Sequence, residues 1–317
     1  MSTARRWSRR CAPRWMERMG AAVTQTLESL SDALETTGDI QSIVRTMKAL
    51  SAASIRQFER AEEALGDYAH TVDLGLTALL HDRRDRGLPL PRTGVEGSTR
   101  TALIVVGSER GLCGRYNETI ARYALDLIEG PDTLLAVIGL RAAARLETAG
   151  HSVDTLFTLP GSAAGLSDLV QSVIVQSDRW QREDGIGRIR VVHNRREGRT
   201  LAQPVERQLL PLPDAYLHSL LDAAWPGPGL AFFRMPPPVL LSWLVQQRLF
   251  VSLYRALAEA LASEHATRLA AMQGAERNIE ERRDDLMQVY RVKRQETITR
   301  ELMDVVAGFE AVRTVEE

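Results

Sequence analysis

The chain has 317 residues, which is long enough to bury a large core and predicts one or two domains. Its formal net charge of −1 argues against a general nucleic-acid-binding protein, so we expect no nucleic-acid partner. Its apolar runs fall well short of the roughly 20 residues that a membrane-spanning helix needs, so we expect no direct membrane insertion. The two cysteines, Cys11 and Cys113, lack metal-ligand spacing.

The first residues are strongly basic, and the only acid among them is Glu17. It stands against six arginines, which are Arg5, Arg6, Arg9, Arg10, Arg14 and Arg18. An arginine-rich, acid-poor start fits a transit peptide. We favour instead a basic disordered tail over residues 1–23, or a start codon placed too early, with Met16 or Met19 as the true start.

Proline is absent from two long stretches of the chain, Arg14–Leu88 and Val239–Glu317. Because a proline in a helix interior costs about 3 kcal/mol, its exclusion over such lengths predicts long helices. We assign an N-terminal helix to residues 24–88 and a C-terminal helix to residues 236–317. Apolar residues recur in both at the three- and four-residue intervals of a coiled coil. The two ends of the chain are therefore predicted to pair as a long antiparallel coiled coil.

The same spacing predicts which face of each helix is buried. In the N-terminal helix this face carries Ile43, Met47, Leu50, Ser54, Phe58, Ala61 and Leu65. Gly38 marks a soft point, since glycine costs about 1 kcal/mol relative to alanine in a helix. In the C-terminal helix the face carries Leu269, Met272, Glu276, Ile279, Arg283, Leu286, Tyr290 and Lys293, continued by Ile298, Leu302, Val305, Phe309 and Val312. Glu276, Arg283 and Lys293 are polar residues on this face, so we predict a thin rod whose surface contacts another partner.

Residues 98–222 show a different pattern, in which short β-branched runs alternate with amphipathic stretches. Strands are predicted at 101–107, 134–139, within 151–159, at 188–194 and at 205–210. Helices are predicted at 117–129, 140–149 and 166–180, the last with Ser167 as its N-cap. Alternating strands and helices indicate a Rossmann-like α/β domain of mostly parallel strands, inserted between the two long helices. A proline-rich linker is expected from Pro226 to Pro238.

Motifs for catalysis or cofactor binding are missing from the sequence. There is no phosphate-binding P-loop, and Gly111–Gly114 follows a strand without the spacing of a dinucleotide fingerprint. We interpret Gly111, Cys113 and Gly114 as a structural turn. The six histidines are scattered, and the acids from Glu280 to Asp285 alternate with arginines, as on a solvated helix face. We therefore expect no catalytic residue, no metal site and no cofactor bound by this chain.

Four segments resemble the γ subunit of F-type ATP synthases. Residues 43–54, IVRTMKALSAAS, are similar to a motif of that family's N-terminal helix, and residues 108–117, SERGLCGRYN, to its strand-to-helix turn. Residues 289–308, VYRVKRQETITRELMDVVAG, and residues 261–272, LASEHATRLAAM, are similar to its C-terminal helix. The four segments occur in the same order along the chain as in the family, and together they span most of residues 24–312.

The resemblance implies a central-stalk rotor subunit that is not itself catalytic. In the family, the paired helices enter a hexamer of alternating α and β subunits, and the α/β domain stands with the ε subunit on the membrane c-ring. Ion flow turns the ring and the stalk, which drives the three catalytic β sites through different states. ATP binds the hexamer, and the complex lies on the cytoplasmic face of the bacterial inner membrane.

The resemblance also implies contact residues for the catalytic subunits. Arg294, Gln295 and Thr299 match polar family positions that meet a loop of the β subunit. Met47 matches a position near a lower β contact, and Lys48 stands where the family commonly has an acid. With the charged stretch from Glu276 and the bulky Phe309, this reversal resembles the alternate, Na⁺-translocating bacterial branch.

Two other interpretations stay open at this point. One is a nucleotide-binding α/β enzyme with helical arms, and the other is a scaffold that uses the helices as a plain coiled coil. The polar positions on the predicted buried face argue against the scaffold.

Overall fold

The computed structural model describes residues 26–95, 97–130, 132–198, 200–226, 229 and 232–313, with side chains up to residue 308. The predicted tail over residues 1–23, and the side chains of Phe309 and Val312, lie outside this part of the chain. Two compact units are present. Among the described residues, the first combines those up to Met47 with those from Met272 onward, and the second comprises those within Lys48–Ala271.

The N-terminal region forms two helices and not the single helix predicted over residues 24–88. Helix α1 spans Leu27–Ala64 and helix α2 spans Gly66–Asp85, separated at Leu65. Helix α1 runs through Gly38 without a break, so the predicted soft point is not where the helix ends. The break lets α2 bury its own apolar face, which includes Ala69, Val72 and Leu76.

The predicted buried face of α1 is confirmed at Phe58 and wrong at Ile43 and Leu50. Ile43 and Leu50 are more than half exposed, whereas Gln41, Val44 and Ser51 are buried. The buried positions 44, 51 and 58 keep a strict seven-residue spacing. At position 51, however, the buried residue is a serine, although the larger and apolar Leu50 stands next to it in the sequence. Hydrophobicity alone therefore identified the buried residue correctly at position 58 but was one residue off at positions 43 and 50.

The α/β domain contains a five-stranded sheet in the order β3-β2-β1-β4-β5. Its strands are β1 (Thr101–Val106), β2 (Leu134–Ile138), β3 (Thr155–Phe157), β4 (Arg188–Glu197) and β5 (Thr200–Leu210). All neighbours pair in parallel except β4 and β5, which form an antiparallel hairpin. The predicted mostly parallel sheet is confirmed, and β5 is longer than predicted because the hairpin extends it.

Three shorter helices connect the parallel strands. They are α3 (Tyr116–Asp126), α4 (Leu140–Thr148) and α5 (Leu166–Arg182). Ser167 is not the N-cap of α5, since the helix follows a short 3₁₀ turn and Gly165 occupies the cap position. A further helix, α6 (Asp214–Asp222), was not predicted.

Both faces of the sheet are covered, which explains the uninterrupted apolar sequence of β1. The even-numbered side chains of β1, such as Ile104, join a core with α5, Phe58 and the C-terminal helix. The odd-numbered ones, such as Val105, join a second core with α3 and α4. A third cluster joins α2, α6 and the start of the C-terminal helix through residues such as Leu76 and Leu217.

The C-terminal helix α7 is continuous from Pro237 to Arg313, 77 residues in all. It begins two residues earlier than the proline-free stretch, because prolines fit a first helical turn, where no backbone donor is required. None of the helices in the described ranges has an apolar stretch long enough to cross a membrane.

The paired helices run antiparallel within each unit. In the first unit Gln41 meets Arg283 and Arg45 meets Glu276. In the second unit Phe58 stacks on His265, while Glu62 faces Arg255. In both units the residue number on α7 falls as that on α1 rises, which confirms the predicted antiparallel arrangement of the two long helices.

Candidate functional site

Arg294, Gln295 and Thr299 lie on α7 in the first unit, and all three are exposed. Their neighbours Lys293 and Thr297 are half-buried, and Thr297 donates a hydrogen bond to the Lys293 carbonyl oxygen at 3.0 Å. The helix therefore turns Lys293 and Thr297 inward and leaves the predicted contact residues open to solvent. This geometry makes them available to another subunit.

Met47 and Lys48 lie on α1, and both are half-buried. Close to them in sequence, Arg45 forms an ion pair with Glu276 of α7 at 3.5 Å. Arg294 follows Glu276 by 18 residues on α7, which is about 27 Å of helix at 1.5 Å per residue. Met47 and Arg294 thus mark two separate levels along the first unit and do not form one site.

The end of α7 carries a concentration of exposed apolar side chains. Ile298, Leu302 and Val305 are exposed, so their predicted place on the buried face of the helix is wrong, and Met303 and Val306 are exposed as well. The exposed fraction of Val305 reaches 70 %. A solvated helix normally keeps large apolar side chains on one buried stripe. An apolar patch of this kind is typical of a surface that another protein covers.

The turn predicted at Gly111, Cys113 and Gly114 connects β1 to α3. Gly114 has a positive φ of 57°, and so does Leu112, with a φ of 62°. Leu112 is 62 % exposed, whereas Cys113 is buried, and burial raises the pKa of its thiol. A left-handed leucine is uncommon, so the surrounding contacts must hold this turn in place.

Those contacts come from a buried polar cluster. The Asn117 side chain accepts from the Ser108 backbone N–H at 2.9 Å and donates to the Ser108 hydroxyl at 2.7 Å. Ser108 in turn donates to the Arg110 carbonyl oxygen at 2.8 Å. The sequence alone identified the turn but not the residues of α7 that hold it from the other side.

Arg268 of α7 holds that other side. Its guanidinium donates to the Arg110 and Gly111 carbonyl oxygens at 3.3 Å and forms an ion pair with Glu264. The crevice between β1 and β4, where the strand order reverses, is where open α/β folds bind nucleotides. Here α7 passes over this region, since the Tyr116 hydroxyl of α3 donates to the Ala260 carbonyl oxygen at 2.9 Å.

A second polar cluster joins α7 to the hairpin. The Glu259 carboxylate accepts from His193 of β4 at 2.7 Å and from Arg207 of β5 at 2.7 Å. Burial works to raise the pKa of the Glu259 carboxyl, but the His193 hydrogen bond and the Arg207 charge outweigh it and lower the pKa. Burial lowers the pKa of His193, so a neutral imidazole donates to an ionised Glu259 at neutral pH.

Neither cluster has the composition of a metal centre. Among the described residues, no three His, Cys, Asp or Glu side chains are grouped so that they could hold a metal ion. The buried charges pair with one another and with backbone carbonyls. What they accomplish is to join α7 to the sheet and to the turn after β1.

Comparison with known proteins identifies the family. A family model described as ATP synthase matches residues 26–312, which is most of the chain. The chain belongs to the ATP synthase gamma family. It is 27 % identical to the ATP synthase gamma chain of Glaesserella parasuis over 278 residues, covering 86 % of this chain and 94 % of that one. It is 27 % identical to the Thermosynechococcus vestitus gamma chain over 313 residues, covering 90 % and 99 %.

Solved structures of ATP synthases share the gamma-chain fold. A chain of the Euglena gracilis mitochondrial ATP synthase, in an OSCP/F1/c-ring structure, matches with a TM-score of 0.61 at 18 % identity, covering 92 % of this chain and 96 % of that chain. A chain of the Euglena rotor matches with a TM-score of 0.59, covering 86 % and 98 %. The predicted family is thus confirmed, while the Na⁺-translocating branch and the individual contact residues stay predictions.

Proposed function

We propose that this gamma chain is the non-catalytic rotor of an F-type ATP synthase, with its paired helices inside a hexamer of α and β subunits. Rotation would present different sides of the helices to each catalytic β subunit in turn. Coupling then requires that each orientation stabilise one β conformation over the others. The family membership of the chain and its two levels of predicted contact residues support this proposal.

The observation that carries the proposal is the exposed apolar end of α7. Leu302, Met303 and Val305 are each more than 60 % exposed. Surface of this kind is rare on a protein that works alone and is expected where a partner encloses the helix. Arg294 and Gln295 precede it, Thr299 lies at its start, and the three would form directional contacts with a β-subunit loop.

We infer that the chain binds no nucleotide cofactor. In other doubly wound folds the crevice between β1 and β4 would hold the phosphates, but here Arg268 and Glu264 of α7 occupy the space beside the turn. A chain that carries no nucleotide fits the role of a part that moves between the catalytic sites of other subunits.

The α/β domain would stand with the ε subunit on the c-ring, and the complex would lie at the cytoplasmic face of the bacterial inner membrane. This placement follows the sequence resemblance and the structural likeness to chains of rotor and F1/c-ring assemblies. The chain would then be peripheral to the membrane.

The contact residues can be tested in the assembled complex with Arg294→Ala/Gln295→Ala. We expect the complex to assemble but to pump fewer ions per ATP hydrolysed, because the removed side chains face the partner and not the coiled-coil interior. Arg282→Ala/Gln288→Ala, which changes the same residue types at other exposed positions of α7, is the matched control. Wild-type pumping in the first variant would remove Arg294 and Gln295 from the interface.

A nucleotide titration tests the enzyme alternative separately. Saturable micromolar binding of ATP or NAD to the full chain would favour an α/β enzyme. No saturation at millimolar nucleotide is the result that we expect.

A further inference from the structure

The ion pair between Glu264 and Arg268 is almost completely buried. The two side chains are one helical turn apart on α7 and are exposed by only 6 % and 7 %. Taking both charges out of water is costly unless further hydrogen bonds satisfy them. Such an ion pair on a long helix therefore marks a place where the fold makes a specific polar contact.

The further hydrogen bonds go to the turn after β1. Arg268 donates to the carbonyl oxygens of Arg110 and Gly111, and His265 accepts from it at 3.4 Å. A planar guanidinium can serve a carboxylate and two carbonyls at once, which a lysine ammonium does with less directional precision. Arg268 thus ties two successive backbone carbonyls to the long helix.

The tied carbonyls directly precede Leu112, the left-handed and exposed residue of the turn. From the domain side the turn is held by the hydrogen bonds of Ser108 and Asn117. From the helix side it is held by Arg268. A conformation that is unfavourable for leucine is in this way fixed by two independent sets of contacts.

We propose that Glu264 and Arg268 form a latch that fixes the turn of residues 108–114 to the C-terminal helix and prevents the sheet from slipping around that helix under torque. The proposal rests on the proposed rotor function. Apolar packing between α7 and the sheet has no preferred direction, so it resists rotation of the sheet around the helix only weakly. Hydrogen bonds from Arg268 to fixed carbonyl oxygens form in one relative orientation of helix and sheet, so they oppose that rotation. Arg268 is a positioning residue and contacts no catalytic site.

Cys113 provides a direct readout of the latch, because its thiol is buried inside the turn. In a Cys11→Ser background of the assembled complex, Cys113 is the only cysteine of this chain. We expect Arg268→Ala to label with a maleimide about 100-fold faster than the parent, since the charge-assisted hydrogen bonds to two carbonyl oxygens that hold the turn closed are lost. Labelling at the parent rate would overturn the proposal.

Electrostatics alone would change the labelling rate in the opposite direction. Burial raises the pKa of the Cys113 thiol and the charge of Arg268 lowers it, so removal of Arg268 leaves less reactive thiolate. Faster labelling therefore reports opening of the turn and not activation of the thiol.

Two further variants keep the test informative if Arg268→Ala fails to assemble. Arg268→Lys keeps the positive charge next to Glu264 but cannot donate hydrogen bonds to both carbonyl oxygens in the way a guanidinium does. We therefore expect a labelling rate between those of the parent and the alanine variant. Arg179→Ala is the matched control, since it removes an i,i+4 ion pair with Glu183 that is exposed on both sides. We expect no change there, and equal acceleration in Arg179→Ala would overturn the latch.

Coupling in the same complexes separates the latch from the rotor function. We expect Arg268→Ala to pump about two-fold fewer ions per ATP, with Arg268→Lys restoring part of the loss. Unchanged labelling and unchanged pumping in a complex that contains this chain would refute the latch alone. Failure of the parent chain to join α and β subunits would refute the rotor function.

Discussion

Gly139 lies directly against the backbone of Ser108. A Cβ atom placed on Gly139 would stand 2.8 Å from the Ser108 carbonyl carbon, and the φ of Gly139 is 102°. The Arg141 N–H, two residues further on, donates to the Ser108 carbonyl oxygen at 3.0 Å. The start of α4 and the turn after β1 are thus packed backbone to backbone.

This contact predicts a large effect of Gly139→Ala. We expect a loss of about 3 kcal/mol of unfolding free energy, from a strained φ and from a clash with backbone that cannot move aside. Gly150→Ala separates the two causes, because Gly150 has a φ of 92° and a Cβ placed on it would meet nothing within 4 Å. There we expect a loss of about 1 kcal/mol. Urea unfolding measures both, and equal losses would contradict the close approach.

Gly38→Ala should raise the free energy of unfolding, in contrast to the two glycine substitutions above. Gly38 lies inside the continuous helix α1, and nothing stands within 4 Å of a Cβ placed there. Alanine is expected to stabilise the helix by about 1 kcal/mol, since glycine loses more backbone entropy. Thermal unfolding followed by circular dichroism tests this. A lower midpoint would mean that the helix needs glycine at this position.

Glu259→Ala should be costly because it leaves two hydrogen-bond donors without their partner. His193 is fully buried, and Arg207 donates to the same carboxylate. We expect a loss of about 3 kcal/mol in unfolding free energy. Glu183→Ala removes a carboxylate from an exposed ion pair and should change stability very little, because solvent screens that pair. Similar losses in the two variants would show that the buried cluster contributes little.

His265 predicts a pH dependence of stability. Burial and the charge of Arg268 lower its pKa from the usual value near 6.5 to about 4. Between these values the unfolded chain binds a proton that the folded chain does not, so stability falls as the pH falls from 6.5 toward 4.

His265→Phe should remove that part of the pH dependence while preserving the stack on Phe58. Between pH 7.5 and 4.5, we expect the parent to lose about 2 kcal/mol more unfolding free energy than the variant. Urea midpoints at both pH values give the comparison. Parallel pH curves for the two proteins would contradict the lowered pKa.

The sequence predicted the parts of the fold that local pattern controls. Continuous β-branched runs such as 101–106 became strands, and the absence of proline indicated the two long helical regions. The sequence-based prediction of buried residues failed where tertiary packing determines burial, as at Ile43 and Leu50, which are apolar but exposed. Whether an apolar residue is buried depends on what lies opposite it, and that is not encoded in the spacing of one helix.

The candidate site was predictable only in part. Gly111, Cys113 and Gly114 stand out by their short spacing after a strand, and the structure places them in the turn. Glu264 and Arg268 look like an ordinary i,i+4 helix pair in the sequence. Their role becomes visible only in the structure, where Arg268 contacts backbone carbonyl groups that are distant in the sequence. Arg268 and Gly111 are 157 residues apart. Local pattern carries no record of such contacts.

The mass of the native complex recovered with this chain as bait tests the central claim most directly. We expect one copy of this chain with three α and three β subunits, because the paired helices can occupy a hexamer cavity only once. Recovery of the chain alone, or as a homo-oligomer, from cells that express those partners would contradict the rotor assignment.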